Sequence, residues 1–187
     1  MRLRQVFTQL RCTQQAADEQ YRVGTAEPEF IGEVFHLDPA GQTTLLEKQR
    51  VVVKTKAGAS MYIVGIGKVK SKINIKGGKS NTRFPASEKL QLIVKAVDNE
   101  SDPMSIVAIF KFKANSKSRK AELSSLSTFG GQSDNNMDFV DFTAKKYGES
   151  SYLIEINHLE PGEYGITVTN PNNKDEKNLI VSCFGID

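Results

Sequence analysis

The sequence predicts an all-β fold, an antiparallel sandwich, and three observations carry that expectation. The stretch Leu159-Glu160-Pro161-Gly162-Glu163-Tyr164-Gly165-Ile166-Thr167-Val168 reads as a corner joining two strands. Pro161 presets φ for the second position of a tight turn, and Gly162 supplies the positive φ of a type II turn at the third. Beyond the turn, Tyr164, Ile166 and Val168 alternate with Glu163, Gly165 and Thr167, the period of a strand with one buried face. The second observation lies at 89–97, where Leu90, Leu92, Val94 and Ala96 face one way and Lys89, Gln91 and Lys95 the other. Only Ile93 breaks the polar side. The third is spacing: strand-sized apolar runs recur between Gly, Pro and Asn punctuation, with almost no convincing helix.

Taken in order, Phe30 to Leu37 reads as a strand ended by the turn Asp38-Pro39-Ala40-Gly41. Leu45 to Lys54, Ser60 to Ile66 and Lys68 to Lys76 follow, with a hairpin or bulge at Gly77-Gly78. Lys89 to Val97 runs into the turn cluster Asp98 to Pro103, and Met104 to Lys113 carries Ile106, Ala108, Phe110 and Phe112 in register. Short strands at Ala121 to Leu123 and Met137 to Phe142 flank a Gly/Ser/Asn-rich loop over 127–136. Tyr152 to Ile156, Tyr164 to Val168 and Leu179 to Phe184 complete the set. Tyr164 is placed like the tyrosine corner of immunoglobulin-like sandwiches, whose ring packs inward while its hydroxyl bonds back to the backbone.

Three regions result. Residues 83–187 are long enough for one immunoglobulin-like β-sandwich, and 29–82 supply extra N-terminal strands or a small β-subdomain. Residues 1–28 read as an N-terminal leader, a short helix or disordered. There Leu3, Val6, Phe7 and Leu10 fit one helical face. Arg2, Arg4 and Arg11 precede the first acid, Asp18, but no apolar signal-peptide core or lipoprotein cleavage site follows them.

A chain of 187 residues, 39% hydrophobic and 25% charged, has the material for a real core and is not of the disordered class. No apolar run reaches the length that crosses a bilayer as a helix. Cys12 and Cys183 stand near opposite ends, so no disulfide framework is read from them.

From Lys70 to Asp187 the chain resembles a group of uncharacterised bacterial β-sandwich proteins, often envelope-associated. The corner Pro161-Gly162-Glu163-Tyr164 and the closing Phe184-Gly185-Ile186-Asp187 carry the resemblance, with Asp102-Pro103 before an apolar strand and Arg119 after the next turn. The corner is also similar to that of fibronectin type III domains, although this chain has no Trp for their usual core position. The resemblance implies an immunoglobulin-like fold and an association with the cell envelope; it brings no activity, substrate or catalytic residue with it.

Motifs for chemistry are sparse. Gly78-Lys79-Ser80 copies the tail of a phosphate-binding loop, but Ile73 stands where the motif needs its first Gly, and Pro85 follows where a helix should run. Asp98-x-Glu100-x-Asp102 and Asp134-x-Asn136-x-Asp138 imitate the first three ligands of a calcium loop. Pro103 and Phe139 at the sixth position, and Ile109 and Lys145 at the twelfth, exclude EF-hand geometry. A looser calcium site in converging loops is the remaining metal reading. His36 and His158, the only histidines, lie in no nucleophile or zinc motif, and His158 reads as a loop residue. Ser150-Ser151 near His158 give two parts of a triad in sequence only. Cys183, in an apolar strand, reads as a small core residue.

Charge is the feature with functional content. Between Glu47 and Glu88 there is no acid, while ten Lys and Arg occur. In the strand from Lys68, the positions Lys68, Lys70, Lys72 and Lys76 share one face with Asn74, opposite Val69, Ser71, Ile73 and Ile75. This lysine ladder is the candidate binding face for nucleic acid or another anionic polymer, set against its role as a solvated face that discourages sheet-to-sheet aggregation. The expected function is a non-enzymatic binding or structural module without cofactor or metal, whose partner is another protein met through an edge or end loop. A carbohydrate-binding or carbohydrate-active accessory domain is the alternative, and an anionic-polymer or nucleic-acid binder the next.

Overall fold

A computed structural model describes residues 27–52, 54–55, 70–86, 89–124, 139–172 and 178–187. The readings of 1–26, of a strand at 60–66, of Lys68 and of Asp134-x-Asn136-x-Asp138 lie outside the described residues.

The described residues form fourteen strands in three sheets. The first sheet holds β1 (Val34–Leu37), β2 (Thr43–Leu45), β7 (Leu90–Lys95), β11 (Thr143–Tyr147) and β12 (Ser151–Ile156), in the order β11-β12-β7-β1-β2. The second holds β3 (Glu47–Val52), β8 (Val107–Lys111), β13 (Gly162–Val168) and β14 (Asn178–Ile186), in the order β3-β14-β13-β8. The short β6 (Arg83–Phe84) pairs in parallel with the end of β14. The third holds β4 (Lys54–Thr55), β5 (Lys70–Lys76), β9 (Lys113–Ala114) and β10 (Ser118–Ser124), in the order β4-β5-β10-β9. Every other pairing is antiparallel. The described fold is therefore all-β. The strands of 29–82 pair into all three sheets.

Two apolar clusters stack these sheets into layers. Leu90, Leu92, Val94, Tyr152 and Ile154 of the first sheet meet Ile109, Tyr164, Ile166, Phe184 and Ile186 of the second in one buried cluster. On the other side of the second sheet, Val51, Phe110, Phe112, Val181 and Cys183 meet Ile73, Ile75 and Ala121 of the third. The second sheet is thus a middle layer, covered on both faces.

This corrects the reading of β13 as a strand with one buried face. Six of its seven residues are buried, Glu163, Gly165 and Thr167 among them. Gly165 has no side chain because the Phe110 and Phe112 rings occupy its place: a Cβ there would lie 2.8 Å from ring atoms of both. Small and polar residues mimic a solvent face while they serve a second interface.

Local chemistry accounts for two further differences. The segment 103–106, expected to begin a strand, is a single helical turn, α1 (Pro103–Ile106). Asp102 caps it by accepting from the Met104 backbone N–H at 2.9 Å, and Pro103 sits at the start, where its missing N–H costs nothing. Among the described residues of the expected strand 137–142, only Phe139 pairs, in one bridge to Phe110; the regular strand, β11, begins at Thr143. No described helix is long and apolar enough to cross a membrane.

Candidate functional site

The corner at 157–164 organises one end of the first two layers. Tyr164 is 2% exposed, stacks on Phe184 at a centroid distance of 5.3 Å, and donates its hydroxyl to the Glu160 carbonyl at 2.7 Å. The expected tyrosine-corner bond is present. The turn, however, is not type II: Gly162 has φ of 159° and is already extended at the start of β13, not near the +80° that turn requires. Lys111, at the end of β8, reaches over the Tyr164 ring (5.8 Å to the centroid) and donates to Glu160 Oε2 at 3.0 Å. That ion pair raises the Lys111 pKa and holds the Glu160 carboxyl below the usual carboxylate range.

Beside this corner opens a cleft of about 470 Å³. Its second wall is the segment 139–143, which crosses from the second sheet, where Val140 N–H donates to Ile109 O at 2.9 Å, to the first sheet at Thr143. Val140 and Phe142 pack down on the core between these layers, while Phe139 is 45% exposed. The polar groups lining the cleft come from Lys111, Asp141, Glu155, Asn157, His158 and Glu160. Burial opposes ionisation of Glu155, but hydrogen bonds from Lys89 and Gln91 outweigh it and keep its pKa low. The cleft therefore brings carboxyl groups, the Lys111 amine, the Asn157 amide and the His158 ring around an apolar floor.

A second polar constellation ties the loop 77–82, between β5 and β6, to the middle sheet. Arg119 is 1% exposed and donates to Ser80 Oγ at 2.5 Å, Glu47 Oε1 at 2.9 Å and Gly77 O at 3.2 Å. Glu163 accepts from Ser80 N and Oγ, both at 2.7 Å, and from Arg83 at 2.5 Å. Arg83 also forks onto the Asp187 carboxylate, and both partners raise its pKa further. The Gly78-Lys79-Ser80 stretch is thus held by side chains of the fold; Ser80 is buried and already satisfied. Among described residues, no buried side-chain nitrogen or oxygen lacks a hydrogen-bond partner.

The sequence-derived candidates are dispersed. His158 is exposed in the cleft loop, whereas Ser151 is fully buried at the opposite end of β12 and donates to Glu27. The length of β12, from Ser151 to Ile156, separates them, so they form no triad. His36 points to the core side of β1 against the Phe84 ring (4.0 Å), and burial lowers its pKa. Cys183 is fully buried, which pushes its thiol up to about 12, so it is a core residue. Asp98 accepts from Glu100 N, and Asp102 caps α1, both turn-making tasks. Among the described residues no group of three or more His, Cys, Asp or Glu is placed to hold a metal.

In β5, Asn74 and Lys76 are exposed while Ile73 and Ile75 are buried, which is the expected alternation. Lys70 and Lys72 lie in the same strand, flanked by β4 and β10, so it is an inner strand of its sheet. Its neighbours extend the basic character: Asn74 pairs with Lys120, and Lys120 with Lys113, all three exposed. The cleft residues Lys111, Phe139, Asp141 and Asn157 carry no sequence motif. Only the loop before the corner signalled them.

No protein-family model, curated protein or solved structure matches the chain.

Proposed function

We propose that the protein is a non-enzymatic binding module, an immunoglobulin-like sandwich with an added third layer, that takes a segment of another protein in the cleft beside the tyrosine corner. The observation that carries this reading is the lining of that cleft: exposed Phe139 over a floor of Val140 and Phe142, ringed by Asp141, Asn157, His158 and Glu160. One apolar contact with convergent polar groups is the composition of ligand sites. The loops that form it stand on a scaffold fixed by the Tyr164 and Lys111 bonds, the usual arrangement for recognition by loops. The resemblance of residues 70–187 to envelope-associated sandwiches favours a partner at the cell envelope.

Titration of the full chain with peptide and oligosaccharide panels, read by the NMR signals of Asn157 and His158, tests this. Peptides that move both signals, and lose the effect in Phe139→Ser, are the expected result. Oligosaccharides alone moving them would replace it with the carbohydrate-binding alternative, and ligands that move only third-sheet signals would overturn the cleft.

A second reading rests on the outer face of the third sheet. Lys113 and Lys120 are directly opposite on neighbouring strands, where like charges repel, and Asn74 and Lys76 extend the exposed strip. Such a strip suits an anionic polymer.

A further inference from the structure

The cleft beside the tyrosine corner has an acidic lining on a chain of net positive charge. Asp141, Glu155 and Glu160 line it against a single lysine, Lys111, while the whole chain carries a formal charge of +3. Two of these acids are engaged within the fold. Glu155 pairs with Lys89 at 3.0 Å and accepts from Gln91, and Glu160 accepts from Lys111 at 3.0 Å. Asp141 is exposed and, among the described residues, holds no hydrogen bond or ion pair. Lys111 is already matched, so the unmatched acid of the lining is Asp141. Such a lining repels nucleic acid and other anionic polymers.

Two uncharged groups say what else an occupant carries. Thr143 of β11 pairs with Glu155 of β12. Asp141 and Asn157 stand two residues beyond that pair, where the chains separate around the cleft. The Asn157 side chain is exposed and has no partner among the described residues. Its amide offers both a donor and an acceptor, the complement of a peptide bond. Phe139, 45% exposed, presents a ring that suits an apolar side chain or the alkyl stem of a lysine.

We propose that the cleft selects a cationic segment of its partner: an extended stretch with an apolar residue beside a Lys or Arg. The apolar side chain meets Phe139, the basic one meets Asp141, and a backbone amide meets Asn157. This selection rests on the cleft being a peptide site, as proposed above, and it names the chemistry of the peptide. Charge here decides which partner is taken more than how tightly, because an exposed ion pair is worth little in water.

Three capped hexapeptides titrated into the full chain test the selection: one alternating Leu and Lys, one Leu and Glu, one Ala and Lys. The Leu/Lys peptide is expected to move the Asn157 and His158 NMR signals with an affinity about tenfold above the other two. Its advantage over Leu/Glu is expected to shrink in high salt. Asp141→Asn, still showing native Tyr164 and Phe184 signals, is expected to weaken the Leu/Lys peptide about threefold and not the Leu/Glu peptide. Equal binding of Leu/Lys and Leu/Glu would overturn the charge selection and leave the peptide cleft standing. An Ala/Lys peptide as tight as Leu/Lys would overturn the part given to Phe139, and an unaltered affinity in Asp141→Asn the part given to Asp141. If none of the three moves these signals while an uncharged peptide does, the selection falls alone. If no peptide moves them, the peptide reading falls with it.

Discussion

Tyr164 and Glu160 are joined by a hydrogen bond from the phenol to the backbone carbonyl four residues earlier, at 2.7 Å. Through it the buried ring of β13 grips the loop that enters the strand, while Lys111 takes the Glu160 carboxylate from the other side. One residue is thereby fixed through both backbone and side chain, and the cleft wall is held to the core. Tyr164→Phe keeps the ring and its stack on Phe184 but leaves that carbonyl unpaired. The expected loss is about 1 kcal/mol or somewhat more in urea unfolding, and an unchanged midpoint would contradict a structural role for the bond.

Gly165 separates a two-layer from a three-layer molecule by the sign of one measurement. If β13 faced water on that side, Gly165→Ala would stabilise the strand by roughly 0.5–1 kcal/mol. With the Phe110 and Phe112 rings against it, the extra carbon overpacks the second interface. The expected effect is a loss of about 1–3 kcal/mol, read from the same denaturation curves.

Arg119 is the largest buried charge of the network around loop 77–82. Its guanidinium satisfies Ser80, Glu47 and Gly77 at once. Arg119→Met leaves the Glu47 carboxylate, mostly buried, without that partner, and the expected cost is about 3–5 kcal/mol. Arg119→Lys retains the charge but cannot reproduce the fork of contacts, so it is expected to recover only part of the loss in thermal melts.

Acid is expected to loosen the first sheet. Burial raises the Glu27 pKa, but bonds from Ser151, Glu149, Lys95 and Ser150 outweigh it and bring it down from 4.5 to about 2. A carboxyl depressed in the folded state is protonated more readily in the unfolded one. Its contribution is therefore complete above pH 4.5 and lost as pH falls toward 2. Glu27→Gln is expected to lower stability at pH 7 and to flatten the decline between those values, measured as urea midpoint against pH.

On a heparin column, Lys113→Gln with Lys120→Gln is expected to lower the eluting salt if the third-sheet strip binds polyanions. Elution at the same salt as the parent would remove that reading.

Much of the fold was legible because alternation and turn chemistry are local. The corner, β7, β12 and β14 follow from residues within ten positions of one another. What was hidden is layering. Gly165 and Glu163 look like solvent-facing residues because nothing local reveals that two Phe rings and Arg83 wait across the interface. Asp102-Pro103 did carry its signal, a cap followed by a proline suited to a first helical turn, but its four residues were absorbed into the strand pattern after it. The cleft was legible only as a loop before a corner. Phe139 and Asp141 reach it from a crossing segment whose position depends on the pairing of distant strands.

Native-state hydrogen exchange tests the layered architecture most directly, since both candidate surfaces depend on a middle sheet covered on each face. The amides of β13 and β14 at 164–168 and 181–185 are expected to exchange last, near the global unfolding limit, and well behind those of edge strand β2. Exchange at 181–185 as fast as in β2 would mean that no third layer covers β14, and it would contradict the account.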